Sequence, residues 1–240
     1  MFFGRTILFA AAMAAPVILA GSLAVPVQPV MAAGNLQTTL EKLNQAAKNF
    51  RSTSAEFEVD INQTEPVPDT EVQKGVAYYQ RNGTHFQMAA HIETDNGAKV
   101  EKVYTFSDGV FKLYEKGPGI DQVTTSHQGS KVADYVGLGF GASGTELADK
   151  WDITDLGAET INGVQTEKLE LIAKDPDVRK NLPKVTVWMD LSRAVSLKQV
   201  FDEPHGLSRV STYTNIKINQ SIPRDAFSFK TDKNTQFINR

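Results

Sequence analysis

Two periods of apolar spacing divide this chain. From Leu36 to Phe50 apolar residues return every three or four positions, at Leu36, Leu40, Leu43 and Ala47, which gives a helix one apolar stripe. From Ala55 the period falls to two. Ala55, Phe57, Val59 and Ile61 alternate with Glu56, Glu58 and Asp60, the pattern of a strand with one face buried and the other in water. The same rhythm predicts strands over 53–63, 71–82, 84–93, 100–107, 109–116 and 121–126, then 152–157, 164–174, 184–190, 195–203 and 207–219. Turn signals separate them at Asn82-Gly83, Asp108-Gly109, Gly117-Pro118-Gly119, Asn162-Gly163 and Pro204-His205-Gly206. Connections this short join neighbours in space, so an antiparallel meander is expected; no βαβ alternation is present to build a parallel sheet.

The alternation stops between Gln128 and Lys150. Two short helices, 130–138 and 144–150, are expected there, joined by a bend in which Gly137, Gly139, Gly141 and Gly144 read as a flexible hinge. Residues 175–183 predict one further helical turn. A curled sheet of so many strands leaves its concave apolar face to be covered, and the helices are the available cover. If their side chains fill the concavity the result is an ordinary core; if they only roof it, the result is an apolar pocket.

The N-terminus carries a different kind of pattern. Arg5 is the one charge before Glu41; it precedes an apolar run from Ile7 to about Ala20 and then the small residues around Ala32 and Ala33. This is the order of a signal peptide, with cleavage expected near Ala32–Gly34. Pro16, Gly21 and Pro26 cut the run short of the roughly 20 apolar residues a spanning helix needs. Residues 1–33 are thus read as a signal peptide and 34–240 as one soluble, exported domain. Loss of Arg5 takes the formal charge from −3 to −4, too mild and of the wrong sign for nucleic acid or an anionic membrane as main partner. The chain has no cysteine, which removes both a disulfide staple and a lipid anchor at the cut site.

Catalytic groupings are absent from the pattern. His85, His91, His127 and His205 lack a second ligand at the i, i+4 spacing of a zinc helix, so no metal and no cofactor is expected. Gly139-Phe140-Gly141-Ala142-Ser143-Gly144 matches G-x-G-x-x-G in letters, without the parallel crossover that a dinucleotide site requires. Glu56, Glu58 and Asp60 share an outward strand face, and Asp175 and Asp177 lie in a loop; neither set converges across a cleft. One charge stands apart. Arg81 shares its strand face with Ala77 and Tyr79 beside the Asn82-Gly83 turn, so its rigid fork of donors either clamps the cover or stands in water as an ordinary hairpin-end arginine.

Several short runs, in this order, resemble the bacterial outer-membrane lipoprotein carrier and lipoprotein-sorting proteins, the LolA-type family, over most of Leu36 to Phe229. They are the helix and strand of Leu43 to Phe57; Gly75-Val76-Ala77-Tyr78-Tyr79-Gln80-Arg81 with Phe86 and Met88 following; the hairpin Ser107-Asp108-Gly109; Asp149-Lys150-Trp151-Asp152-Ile153; Val187-Trp188-Met189-Asp190; and Ile222 to Phe229, which resembles the usual C-terminal strand. Asn82 stands where the family has proline, and the segments around 117–129 and 175–183 are longer than usual.

The resemblance implies a mainly β (α+β) fold: an incomplete antiparallel β-barrel with a helical lid, LolA/LolB-like. It implies a non-enzymatic periplasmic carrier, a monomer, that takes acylated lipoproteins from an inner-membrane ABC transporter complex and yields them to an outer-membrane receptor. On this reading Phe57, Val59, Ile61, Tyr79, Phe86, Met88, Leu169, Leu171, Val187 and Met189 wall the apolar cavity, Tyr135, Val136 and Phe140 lie beneath the lid, and Arg81 ties the lid shut. The alternative is a regulatory module of the RseB type, which uses the same half-barrel to sense lipid or peptide and normally carries a second C-terminal domain. A glycan or lipid hydrolase comes third, for want of a converging acid, base or nucleophile set.

Overall fold

The computed structural model describes residues 35–83, 85–127 and 137–239. The expected signal peptide, most of the helix expected over 130–138, and with it Tyr135 and Val136, lie outside the described residues. Among those described, the order is α1 (Leu36–Ala47), β1 (Ser52–Gln63), β2 (Asp69–Asn82), β3 (His85–Asp95), β4 (Ala98–Ser107), β5 (Val110–Gly117), β6 (Ile120–His127) and α2 (Gly144–Lys150). Then come β7 (Trp151–Ile161), β8 (Val164–Ala173), α3 (Pro176–Asn181), β9 (Lys184–Asp190), β10 (Val195–Asp202), β11 (Leu207–Ile218) and β12 (Gln236–Asn239).

The strands form one open sheet in the order β12-β6-β5-β4-β3-β2-β1-β11-β10-β9-β8-β7, not closed into a barrel. Two antiparallel meanders, β1–β6 and β7–β11, meet where β1 pairs with β11 and Phe57 stands opposite Tyr213. Turn chemistry fixes the registers. Asp108 and Gly109 have φ of 50° and 77°, and Asn162 and Gly163 have 50° and 78°, the left-handed pair that a two-residue hairpin requires.

Two departures occur at the C-terminus. The strand expected over 222–229 is instead a chain of turns, in which the Ala226 amide donates to the Pro223 carbonyl (3.1 Å) and Ser228 to Asp225 (3.1 Å); Pro223 has no amide to give to a ladder. The segment crosses the outer face of the sheet, where the Phe229 ring stacks on Tyr114 (5.0 Å between centroids) and the His91 ring bonds the Ala226 carbonyl (2.7 Å). It ends as β12, which pairs parallel with β6 and so breaks the all-antiparallel expectation.

The helices begin at sequence-coded caps. Asn35 accepts from the Thr38 amide at 3.3 Å, Asp175 caps α3 with Pro176 in its first turn, and Ser143 opens α2. Leu43 of α1, Leu147 of α2 and Val178 of α3 pack with Leu169, Leu171, Val185, Val187 and Met189 in a solid core, where none of those five strand residues is more than 1% exposed. Each such side chain contributes about 1.5–3 kcal/mol by leaving water.

Candidate functional site

Beyond that core the inner face of the sheet opens. Seven adjacent strands, from β5 to β10 by way of β1 and β11, wall a half-open cavity of about 690 Å³. Phe57, Val59 and Ile61 of β1, Tyr79 of β2 and Met88 of β3 line it, five of the residues expected there. Phe86 stands next to it: its ring lies 6.1 Å from Tyr79 and 6.4 Å from Phe106, and it lines a smaller void of about 290 Å³ with Arg81, Leu138, Glu146 and Trp151. Leu169, Leu171, Val187 and Met189 sit in the packed core under α1 and α2 rather than on the cavity wall. Their alternation gives the facing correctly, and the helices fill the space in front of them.

Phe140 separates the two regions. Fully buried, its ring stacks on Tyr79 (4.0 Å, 11°) and meets the edge of Tyr213 (4.9 Å, 83°), both of which line the cavity. Main-chain bonds hold it there: the Gly141 amide donates to Ala194 (2.8 Å) and the Ser196 amide to Gly139 (2.7 Å), while Gln199 Nε2 donates to the Leu138 carbonyl (2.7 Å). Tyr213 donates in turn to Gln199 Oε1 at 3.2 Å. Burial, reinforced for Tyr79 by its neighbour Tyr213, raises both phenol pKa values, so the cavity floor stays uncharged.

The glycines of this segment are not a hinge. A Cβ on Gly141 would stand 2.1 Å from the Phe50 ring and one on Gly139 would stand 2.4 Å from Gln199 Nε2, and both residues have left-handed φ. They let the backbone press against the sheet so that Phe140 reaches its slot.

Arg81 reaches a side chain of the cover. Its Nη1 donates to Glu146 Oε1 at 2.7 Å, and its Nε is buried without a hydrogen-bond partner among the described residues. Glu146 has a second task. Its Oε2 accepts from the Ser143 amide (2.8 Å) and hydroxyl (3.1 Å), while Ser143 Oγ accepts from the Glu146 amide (3.1 Å), a complete capping box. Burial works against the Glu146 carboxylate, yet the Ser143 amide and Arg81 prevail and hold its pKa below the ordinary value. One carboxylate thus starts α2 and ties it to the end of β2. The helix is also fixed to α1, since Thr145 donates to Asn44 Oδ1 from its amide (3.0 Å) and its hydroxyl (3.2 Å).

The cavity mouth is polar. Glu71, Gln73, Lys102 and Arg209 line it. Lys102 Nζ lies 3.2 Å from Asp95 and 3.9 Å from Glu115, and Arg209 donates through Nε and Nη2 to the single oxygen Glu203 Oε1 (2.5 Å each). Gln73 Nε2 bridges Glu71 and Asp95. Glu146 was legible in the sequence as the S-x-x-E of Ser143 to Glu146. Tyr104, Phe111, Phe201 and Tyr213 were legible as alternating positions of their strands; the charged rim had no such signal, because strand charges are read as solvated.

No family model matches the sequence, and no curated protein matches it. The fold has solved counterparts. An uncharacterized conserved protein from Thermus thermophilus superposes at a TM-score of 0.52 and 11% identity, over 86% of this chain and 100% of the other. MucB superposes at 0.50 and 12% identity, over 83% of this chain but 64% of MucB, so the chain spans under two thirds of that protein. A LolA superfamily protein from Nitrosomonas europaea is also among the structural neighbours, at 0.39 and 14% identity, over 82% and 99%. In fold, this chain is a counterpart of MucB and of the Thermus protein, one open and mostly antiparallel sheet with helices on its inner face.

Proposed function

We propose that the protein is a periplasmic carrier, exported with loss of its signal peptide, that shelters the acyl chains of lipoproteins in this cavity and passes them toward the outer membrane. The observation that supports it is the half-open hollow of about 690 Å³, apolar on its floor and polar at its mouth, within the usual range of ligand sites. Each methylene buried contributes about 0.8 kcal/mol, so a cavity that stays open at one end holds a chain and still releases it. The partners that follow are an inner-membrane ABC transporter complex as donor and an outer-membrane receptor as acceptor. No step of the proposal is catalytic; its work is burial and release.

Native mass spectrometry of the mature protein from a periplasmic extract tests this. Acylated peptides are expected on the parent and not on Ala90→Phe, whose ring fills the space beside Met88. A parent that carries no acylated species, or an Ala90→Phe variant that carries as much, overturns the reading. A regulatory module of the RseB type is the second reading, supported by the likeness to MucB; free lipid in place of acylated peptide favours it.

A further inference from the structure

The cavity has two chemical ends. Its floor is aromatic and uncharged, around Tyr79, Phe140 and Tyr213, whereas its mouth sets the cations Lys102 and Arg209 among carboxylates. Burial opposes the Lys102 charge, but the hydrogen bond to Asp95 and the neighbouring carboxylates raise its pKa above that of an ordinary lysine, so the ammonium persists. Glu71, Lys102 and Arg209 line this one opening, although Lys102 and Arg209 come from strands four places apart in the sheet.

Both cations keep donors in reserve. An ammonium has three hydrogens, and Lys102 has one close carboxylate and one at 3.9 Å. Among the described residues Arg209 uses only Nε and Nη2, both on Glu203. Formal charge at the mouth nevertheless sums to a carboxylate excess, with Glu71, Asp95, Glu115 and Glu203 against the two cations. A purely anionic group would meet that excess, and a purely cationic group would meet Lys102 and Arg209. A head carrying both signs complements the arrangement.

Size suits a tail. A half-open cavity of about 690 Å³ is within the usual range of ligand sites, enough for an acyl chain with part of its head.

We infer that the mouth of the cavity also recognises a zwitterionic lipid head, so that a phospholipid can occupy the hollow beside the lipoprotein cargo, its tail on the aromatic floor, its phosphate drawn to Lys102 or Arg209 and its ammonium to Glu71. This rests on the reading of the hollow as an acyl-chain site and adds to it a second class of ligand, distinguished by its head.

The test is displacement of N-phenyl-1-naphthylamine from the purified protein by 1-palmitoyl lysophosphatidylethanolamine, hexadecyl phosphate, hexadecylamine and hexadecanol. The zwitterion is expected to bind at least tenfold more tightly than the alcohol. Lys102→Gln with Arg209→Gln is expected to cut that ratio to less than twofold, and Glu71→Gln to erase the preference for the zwitterion over hexadecyl phosphate. An alcohol as tight as the zwitterion, or a phosphate or amine as tight, overturns the headgroup site while the acyl-chain reading stands. Failure of all four to displace the probe overturns both.

Discussion

One face of one sheet is solid over β7–β9 and hollow from β5 through β1 and β11 to β10. Both stretches alternate apolar and polar residues in the same way, and both turn their apolar side inward. In the first, α1, α2 and α3 supply Leu43, Leu147 and Val178 to close the space over Leu169 and Val187. In the second, the segment before α2 contributes one buried ring, Phe140, against Tyr79 and Tyr213, and the wall beyond it faces a void. Periodicity therefore reports which way a residue faces; whether it meets a neighbour or a ligand depends on what a distant part of the chain lays over it.

Phe140 is the sharpest place to break this contrast, because it is the buried ring that the cover lays on the hollow half. Phe140→Ala removes the stack on Tyr79 and the edge contact with Tyr213 from a site with no exposure. It is expected to cost about 3–5 kcal/mol in urea unfolding, the usual range for a buried aromatic. A loss below about 1 kcal/mol would mean that the ring is dispensable and the partition loose.

Truncation to alanine in each half measures the difference directly. Leu169→Ala in the packed core is expected to cost about 2–5 kcal/mol, including the cavity it leaves. Val59→Ala on the open wall is expected to cost less than about 1 kcal/mol, since Val59 already borders empty space and no new cavity term arises. Equal losses per methylene removed would show the hollow to be as well packed as the core.

Much of this was readable in advance, for physical reasons that also mark where reading stops. The strands of both meanders, with hairpins such as Asp108-Gly109, follow from a period of two and from turn residues that tolerate left-handed φ. These are local signals. The wall residues Phe57, Val59, Ile61, Tyr79 and Met88 were legible as facing inward, but so were Leu169, Leu171, Val187 and Met189, which the helices cover. Gly139 and Gly141 looked like a hinge because a sequence does not show that Phe50 and Gln199 leave no room for a Cβ. The turns of 222–229 and the parallel β12 depend on long-range contacts with Tyr114 and β6, for which no local period exists.

The tie between the sheet and its cover gives the smallest effect and a distinctive pH signature. Arg81 and Glu146 have side chains 29% and 46% exposed, so solvent screens the pair and it contributes less than about 1 kcal/mol. Glu146→Ala is expected to exceed Arg81→Leu in cost, because the side chain also completes the capping box with Ser143, whereas Glu146→Gln keeps an oxygen that accepts from Ser143 and removes chiefly the charge. The folded carboxyl titrates below the ordinary glutamate value of about 4.3. Its contribution is therefore fully present above that value and is lost as pH falls through the lowered folded one. The stability gap between parent and Glu146→Gln should hold steady near neutrality and shrink on acidification below about pH 4.3, and urea unfolding from neutral to acid pH measures it. A gap that persists undiminished in acid would show that the charge of Glu146, and with it the ion pair to Arg81, contributes nothing to holding the cover.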